Sequence, residues 1–180
     1  MAKYTIGLDY GTNSVRAIIV NVANGREIAS ATWTYTHGKE GILLSRDPNL
    51  ARQHPADYLK GAETTIKRAL GVAKRSNKTF KPEQIIGLGV DTTGSTPIPV
   101  DRRGMPLAFD SRFEKDLDAM AWLWKDHTAI PEAEEITELA RKMRPQYLAK
   151  CGGIYSSEWF FSKILHCLRT NSKVFSAAYT

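Results

Sequence analysis

Residues 4–22 read Tyr4-Thr5-Ile6-Gly7-Leu8-Asp9-Tyr10-Gly11-Thr12-Asn13-Ser14-Val15-Arg16-Ala17-Ile18-Ile19-Val20-Asn21-Val22. Two β-type runs, Tyr4 to Asp9 and Arg16 to Val22, flank five residues of turn chemistry, Tyr10 to Ser14, so the stretch reads as a hairpin. The bend is also where chemistry can sit. Backbone N–H groups of a tight turn can converge on phosphate oxygens. Gly11 lets a ligand approach the main chain, Thr12 and Ser14 add hydroxyl donors, and Arg16 offers a fork of donors to a phosphoryl group. Asp9, at the end of the first strand, is placed to hold a hydrated Mg²⁺ bridging nucleotide phosphates. The plainer reading is a hairpin whose Asp and Asn serve only the turn.

Outward from this bend, Asn24-Gly25 marks a second turn, and the alternation over Glu27 to Tyr35 predicts a third strand. His37 to Gln53 reads as a long loop. Pro55 suits a first helical turn, and Tyr58, Leu59, Ala62, Ile66, Ala69, Leu70 and Ala73 then recur at helical spacing. Ile85 to Val90, nearly continuously apolar, predicts a strand buried on both faces. Thr96 to Val100 predicts a short strand at an edge, given its two prolines. Helices are expected over Lys115–Lys125 and Pro131–Met143, and from a cap at Ser156 or Ser157 to about Arg169. Three antiparallel strands, a crossover helix and then parallel strands is the order of an RNase-H-like, α/β half-domain. The end, Lys173 to Thr180, begins something apolar and stops, and reads as a boundary inside a longer chain.

Composition narrows the function classes. Hydrophobic residues make up 42% and charged residues 24% of the 180, as in a globular chain. No apolar run approaches the ~18 residues of a membrane span, and no signal peptide precedes the first strand. Cys151 and Cys167 lie outside metal spacing and suit a reduced, cytoplasmic setting. His37, His54, His127 and His166 have no ligand spacing either. The net charge of +6 is spread over separate segments with no aromatic-interleaved stripe, which argues against nucleic acid.

Three further segments carry polar groups of interest. Gly89-Val90-Asp91-Thr92-Thr93-Gly94-Ser95-Thr96 runs from a strand into small and hydroxyl residues, at the sheet end where ligands of open α/β folds bind. Leu123-Trp124-Lys125-Asp126-His127-Thr128-Ala129 pairs an indole that can cover a sugar face with a carboxylate that can accept from a hydroxyl. Taken alone, Trp122 and Trp124 are more often core than site, and Asp126 can serve as a structural acceptor. Gly152 to Trp159 reads as a loop and helix cap.

Asp9-x-Gly11-Thr12-x-Ser14-x-Arg16 at the N-terminus resembles the phosphate-binding hairpin of the FGGY carbohydrate kinases. Val90-Asp91-x-Thr93-Gly94-Ser95-Thr96-Pro97, the Leu123–Ala129 segment and Gly152–Trp159 resemble the ribulokinase branch in particular. The resemblance covers nearly the whole chain and implies an actin-like (RNase-H-like) ATPase domain, a mixed sheet with three antiparallel N-terminal strands flanked by helices. It implies ATP and Mg²⁺ as cofactors, with Asp9 on Mg²⁺ through water. Thr12, Asn13 and Arg16 fall on the nucleotide phosphates, and Gly94, Ser95, Trp124 and Asp126 on a ketopentose. An Arg-Glu pair stands in glycerol kinase where Gly94-Ser95 stands here, which argues against glycerol. The implied reaction is phosphorylation of L-ribulose to L-ribulose 5-phosphate, in arabinose breakdown. The family's catalytic aspartate and adenosine-binding motifs are not found in these residues. The 180 residues are thus expected to be an incomplete N-terminal sugar-binding domain without activity of its own, and neither Asp91 nor Asp126 is promoted to base. A homodimer stays open for the full-length enzyme. The rival readings are a kinase for xylulose or D-ribulose and a non-catalytic module of the same fold.

Overall fold

The computed structural model describes residues 2–180. The elements in chain order are β1 (Tyr4–Tyr10), β2 (Ser14–Asn21), β3 (Glu27–Thr34), β4 (Arg52–Gln53), α1 (Pro55–Ser76), β5 (Ile85–Thr92), β6 (Ala121–Trp122), α2 (Ile130–Met143), α3 (Pro145–Ala149), α4 (Phe160–Thr170) and α5 (Ser172–Ala177). They form two compact units. One runs to Gly41 and resumes over Ala56–Thr93; the other comprises Ile42–Pro55 and Gly94–Thr180.

The first unit is a four-stranded sheet of order β3-β2-β1-β5, antiparallel except for the parallel β1–β5 pair. Strand alternation decides which face is covered. Tyr4, Ile6 and Leu8 of β1 and Val15, Ala17 and Ile19 of β2 are buried in one cluster with Ala69 and Ala73 of α1. Asp9 and Arg16 fall on the other face and stay exposed. Helix α1 approaches closely at Gly61, where a Cβ would stand 2.3 Å from Val15 Cγ1. Asp57, in its first turn, accepts hydrogen bonds from the Thr36 and His37 amides at 3.1 and 3.0 Å, tying the chain after β3 to the helix. A first-turn acid and a last turn bearing Lys74 and Arg75 also complement the helix dipole.

The second unit is mainly helical, with β4 and β6 joined in a two-residue antiparallel ladder. Leu107, Ala119, Trp122, Cys167 and Val174 form its main apolar cluster. The Arg52 guanidinium is buried 3.5 Å over the Trp122 ring, bonded to the Asp126 carboxylate and to Asp118 at 3.2 Å.

The three N-terminal strands, the crossover helix and the parallel β5 match expectation. Three local expectations fail. No helix forms over Lys115–Lys125: a 3-10 turn at Leu117–Ala119, capped by Asp116 accepting from the Asp118 amide, leads into β6. The run Ala119-Met120-Ala121-Trp122-Leu123 is buried throughout, so its apolarity reflects enclosure rather than one helical face. Thr96–Val100 forms no strand beyond an isolated Val100–Pro106 bridge, since Pro97 and Pro99 have no N–H to donate. And β5 is an edge, not a doubly covered strand: Ile86, Leu88 and Val90 are 59, 52 and 57% exposed. It has a ladder partner on one side only, and the buried α1 cluster centres on β1 and β2. α3 and α5 were not anticipated; Asn171 caps α5 by accepting from the Val174 amide.

Candidate active site

The hairpin fixes the first group of residues. In the β1–β2 register Asp9 lies opposite Arg16, and Arg16 Nη2 donates to Asp9 Oδ2 at 3.0 Å. Both side chains remain more than half exposed, so the pair closes no core and stands free to meet a ligand. The parallel register places Asp91 beside Asp9. Gly7, Asp9, Arg16, Ile18, Gly89 and Asp91 line one concavity on the uncovered sheet face. Two glycines floor it, and two carboxylates with one guanidinium share it.

The bend itself is not buried, as a phosphate grip requires: Gly11, Thr12 and Ser14 are half-buried and Asn13 is exposed. One part of the expected nest is corrected. The Gly11 N–H donates to Ser14 O at 2.9 Å and so closes the turn instead of facing a phosphate. Asn13 is engaged at both ends, its Nδ2 donating to Glu40 O at 2.7 Å and its carbonyl accepting from the Tyr35 amide at 3.0 Å. These bonds hold the bend in shape. They leave the Ser14 hydroxyl and the Arg16 fork as the groups with most room for an anion.

The second group lies in the other unit. Gly94 and Ser95 are exposed, and nothing lies within 4 Å of where a Gly94 side chain would begin. Ser95 has φ 57°, a left-handed conformation unusual for a residue with a Cβ. Thr96 Oγ1 accepts from the Trp124 amide at 3.1 Å, joining the Gly94–Thr96 loop to the tryptophan segment. Trp124 is 38% exposed, whereas Trp122 is buried and donates its indole N–H to Asp118 O at 2.9 Å. Of the two indoles only Trp124 has a face to offer a sugar.

Asp126 is corrected from sugar contact to anchor. It is wholly buried, and its oxygens accept from the Ala51 amide at 2.7 Å, from Arg52, and from the Thr128 hydroxyl at 2.6 Å. A carboxylate so enclosed has no oxygen left for a hydroxyl from outside.

Two buried cations escaped the reading of the sequence. Arg52 gave no signal, standing in a stretch without periodicity. Lys163 did give one: it lies four residues after Trp159 and four before Cys167, in the row that α4 buries. Its Nζ donates to Ser95 O and Leu123 O, each at 2.8 Å. Burial pushes its pKa down to about 8, with Arg52 adding to the effect and Glu158 opposing it.

For Mg²⁺, the fitting feature is the Asp9–Asp91 neighbourhood. Mg²⁺ keeps several waters and takes one or two carboxylates together with substrate phosphates, which a pair of exposed aspartates satisfies. Among the described residues no group of three or more acidic, His or Cys side chains forms a metal cage.

Residues 4–178 match the FGGY family of carbohydrate kinases, N-terminal domain. A ribulokinase from Vibrio parahaemolyticus is 37% identical over 99% of the chain, and one from Shouchella clausii is 38% identical over 99%. The chain spans 31% and 32% of those two relatives, about a third of their length. Among solved structures, a "xyloylose kinase" from Brucella ovis superposes with a TM-score of 0.73 at 19% identity, covering 97% of this chain and 31% of that one. A xylulose kinase from Bifidobacterium adolescentis gives 0.70 at 12% identity, over 98% and 31%. At such identities these two structures establish the fold alone, the actin-like α/β arrangement with its mixed sheet and flanking helices. The chain belongs to the FGGY family of carbohydrate kinases, in the region of its N-terminal domain.

Proposed function

We propose that these 180 residues form the sugar-binding N-terminal part of an ATP-dependent L-ribulokinase, which converts L-ribulose to L-ribulose 5-phosphate in the cytoplasm. The observation that carries the reading is the exposed Asp9–Arg16 pair at the mouth of the β1–β2 bend, with Asp91 beside it. Phosphoryl transfer asks a protein for positioning and charge stabilisation, and these groups supply both. Arg16 neutralises charge on the transferring phosphoryl group. Asp9, with Asp91 alongside, would hold hydrated Mg²⁺, which would supply charge neutralisation for the nucleotide phosphates. Asn13 shapes the bend, Thr12 and Ser14 offer hydroxyls to phosphate oxygens, and Gly94, Ser95 and Trp124 receive the ketopentose. The proton of the sugar hydroxyl goes to an aspartate outside these residues.

Identity of 37–38% to ribulokinases across nearly the whole chain supports L-ribulose over other pentuloses. A coupled ADP-release assay of the full-length protein against L-ribulose, D-ribulose, xylulose and glycerol tests the reading. L-ribulose is expected to be turned over most efficiently, and the 180 residues alone not at all. Arg16→Ala is expected to slow turnover about 100-fold. Its exposed ion pair contributes no more than about 1 kcal/mol to folding, so stability stays nearly unchanged. Unchanged turnover in R16A would remove Arg16 from the site.

A further inference from the structure

Lys163 is fully buried, yet its nearest oxygens are main-chain carbonyls. Besides the two bonds at 2.8 Å, Trp122 O lies at 3.4 Å and Trp124 O at 3.5 Å. A buried ammonium is costly unless it is well paired, and a purely apolar contact in this row of α4 would be met more simply by leucine or methionine. What the amine does here is join two segments distant in sequence. One carries Ser95, the other Leu123 and Trp124.

The bond to Ser95 has a second consequence. Ser95 sits at φ 57°, a left-handed conformation that strains a residue carrying a Cβ. Such backbone persists only where the surroundings hold it. The Ser95 carbonyl is held by Lys163, and the next residue, Thr96, accepts from the Trp124 amide. Removing the ammonium frees the Ser95 peptide to relax and, through Thr96, releases the segment that presents the Trp124 ring.

We propose that Lys163 is a positioning residue for ketopentose recognition: without touching the sugar, its ammonium locks the Ser95 and Leu123–Trp124 peptides in the geometry that binds it. This rests on the reading of Ser95 and Trp124 as sugar contacts. The charged groups that bear on the ammonium from other elements are Arg52 of β4 and Glu158 of the turn before α4. On its own helix, Cys167 is pushed up to about 11 by burial and stays neutral. With Lys163 titrating at about 8, the clamp is fully charged below that pH and weakens above it.

The test uses the full-length protein, L-ribulose and MgATP. Lys163→Met is expected to raise KM for L-ribulose at least tenfold while KM for MgATP stays within twofold. Lys163→Arg, which keeps the charge and the donors, is expected to stay within threefold of wild type. Wild-type affinity for L-ribulose should fall as pH rises from 7 to 9.5, with a midpoint near 8, and K163R should lack that fall. A K163M enzyme with wild-type KM for L-ribulose, or with both KM values raised alike, overturns the proposal. So does a flat wild-type pH profile, which needs no variant to fold. Absence of L-ribulose turnover in the wild type would instead sink the reading of the site itself, and is seen before any variant is made.

Discussion

Asp126→Asn should unfold the second unit more readily while changing no atom that a sugar could reach. The carboxylate faces donors on both sides: the Ala51 amide and Arg52 on one oxygen, the Thr128 amide and hydroxyl on the other. An amide can keep an acceptor toward only one of these sets, and its NH2 must point at the other. It also leaves the Arg52 guanidinium, 1% exposed, without its nearest counter-charge, with Asp118 as its remaining carboxylate. Breaking a buried pair in this way costs about 3–5 kcal/mol. Asp118 at 3.2 Å and the Trp122 ring at 3.5 Å still attend the guanidinium, which sets the expectation at the lower end, about 3 kcal/mol. For a chain of this size that corresponds to a loss of about 6–12 °C in Tm. Urea and thermal unfolding of the 180-residue chain, followed by tryptophan fluorescence, read it directly. Removing the stranded charge as well, in R52M/D126N, should recover at least about 1 kcal/mol of the loss. A D126N protein within about 0.5 kcal/mol of wild type would refute the anchor role, and weakened sugar binding at unchanged stability would return Asp126 to the sugar.

Other perturbations probe other links. Gly61→Ala places a Cβ 2.3 Å from Val15 Cγ1 and 3.1 Å from Trp33 Cε3. Overpacking of about 1–3 kcal/mol then outweighs the roughly 1 kcal/mol that alanine gains in a helix, so urea denaturation should show a net loss, relieved by adding V15A; a more stable G61A would show that α1 has room to retreat. Lys163 titrates at about 8 when folded against 10.5 when free, so the unfolded chain holds the extra proton between those values. Wild-type stability relative to K163M should therefore rise by up to about 3 kcal/mol as pH climbs from 8 to 10.5, and stay level below 8, where folded and unfolded chains both hold the proton; equal pH dependence in urea titrations of the two proteins would contradict this. Cys167 is buried with its pKa pushed up to about 11, whereas Cys151 is half-buried. A thiol reagent at pH 7.5 should label one cysteine in the folded chain and two in urea, and rapid double labelling without denaturant would show that α4 opens.

Elements whose signals are local were legible from sequence. The hairpin, its Asp9 and Arg16, the third strand and α1 each follow from alternation, turn residues or a helical apolar stripe. Reading failed where burial comes from all sides. Ala119 to Leu123 is apolar because it is enclosed, and enclosure has no period, so helix and irregular chain look alike there. Ile85–Val90 misled for the opposite reason, since a strand's residues do not state whether neighbours cover it. The buried cations were the hardest. Nothing local marks Arg52 as buried, and although Lys163 stands in the row that α4 buries, only the carboxylates and carbonyls gathered around the two in space show why a cation sits there. Asp126 shows the same limit: a carboxylate beside an indole suits a sugar or an arginine equally until its neighbours are known.

The β5 border has practical weight. Eight residues of extended chain with Ile86, Leu88 and Val90 bare make a template onto which another strand can pair, and no lysine or proline blunts it within Ile85–Thr92. Handled alone at high concentration, the 180 residues should cloud or form ladders of self-associated species. Any attempt to purify or crystallise them must first mask that seam.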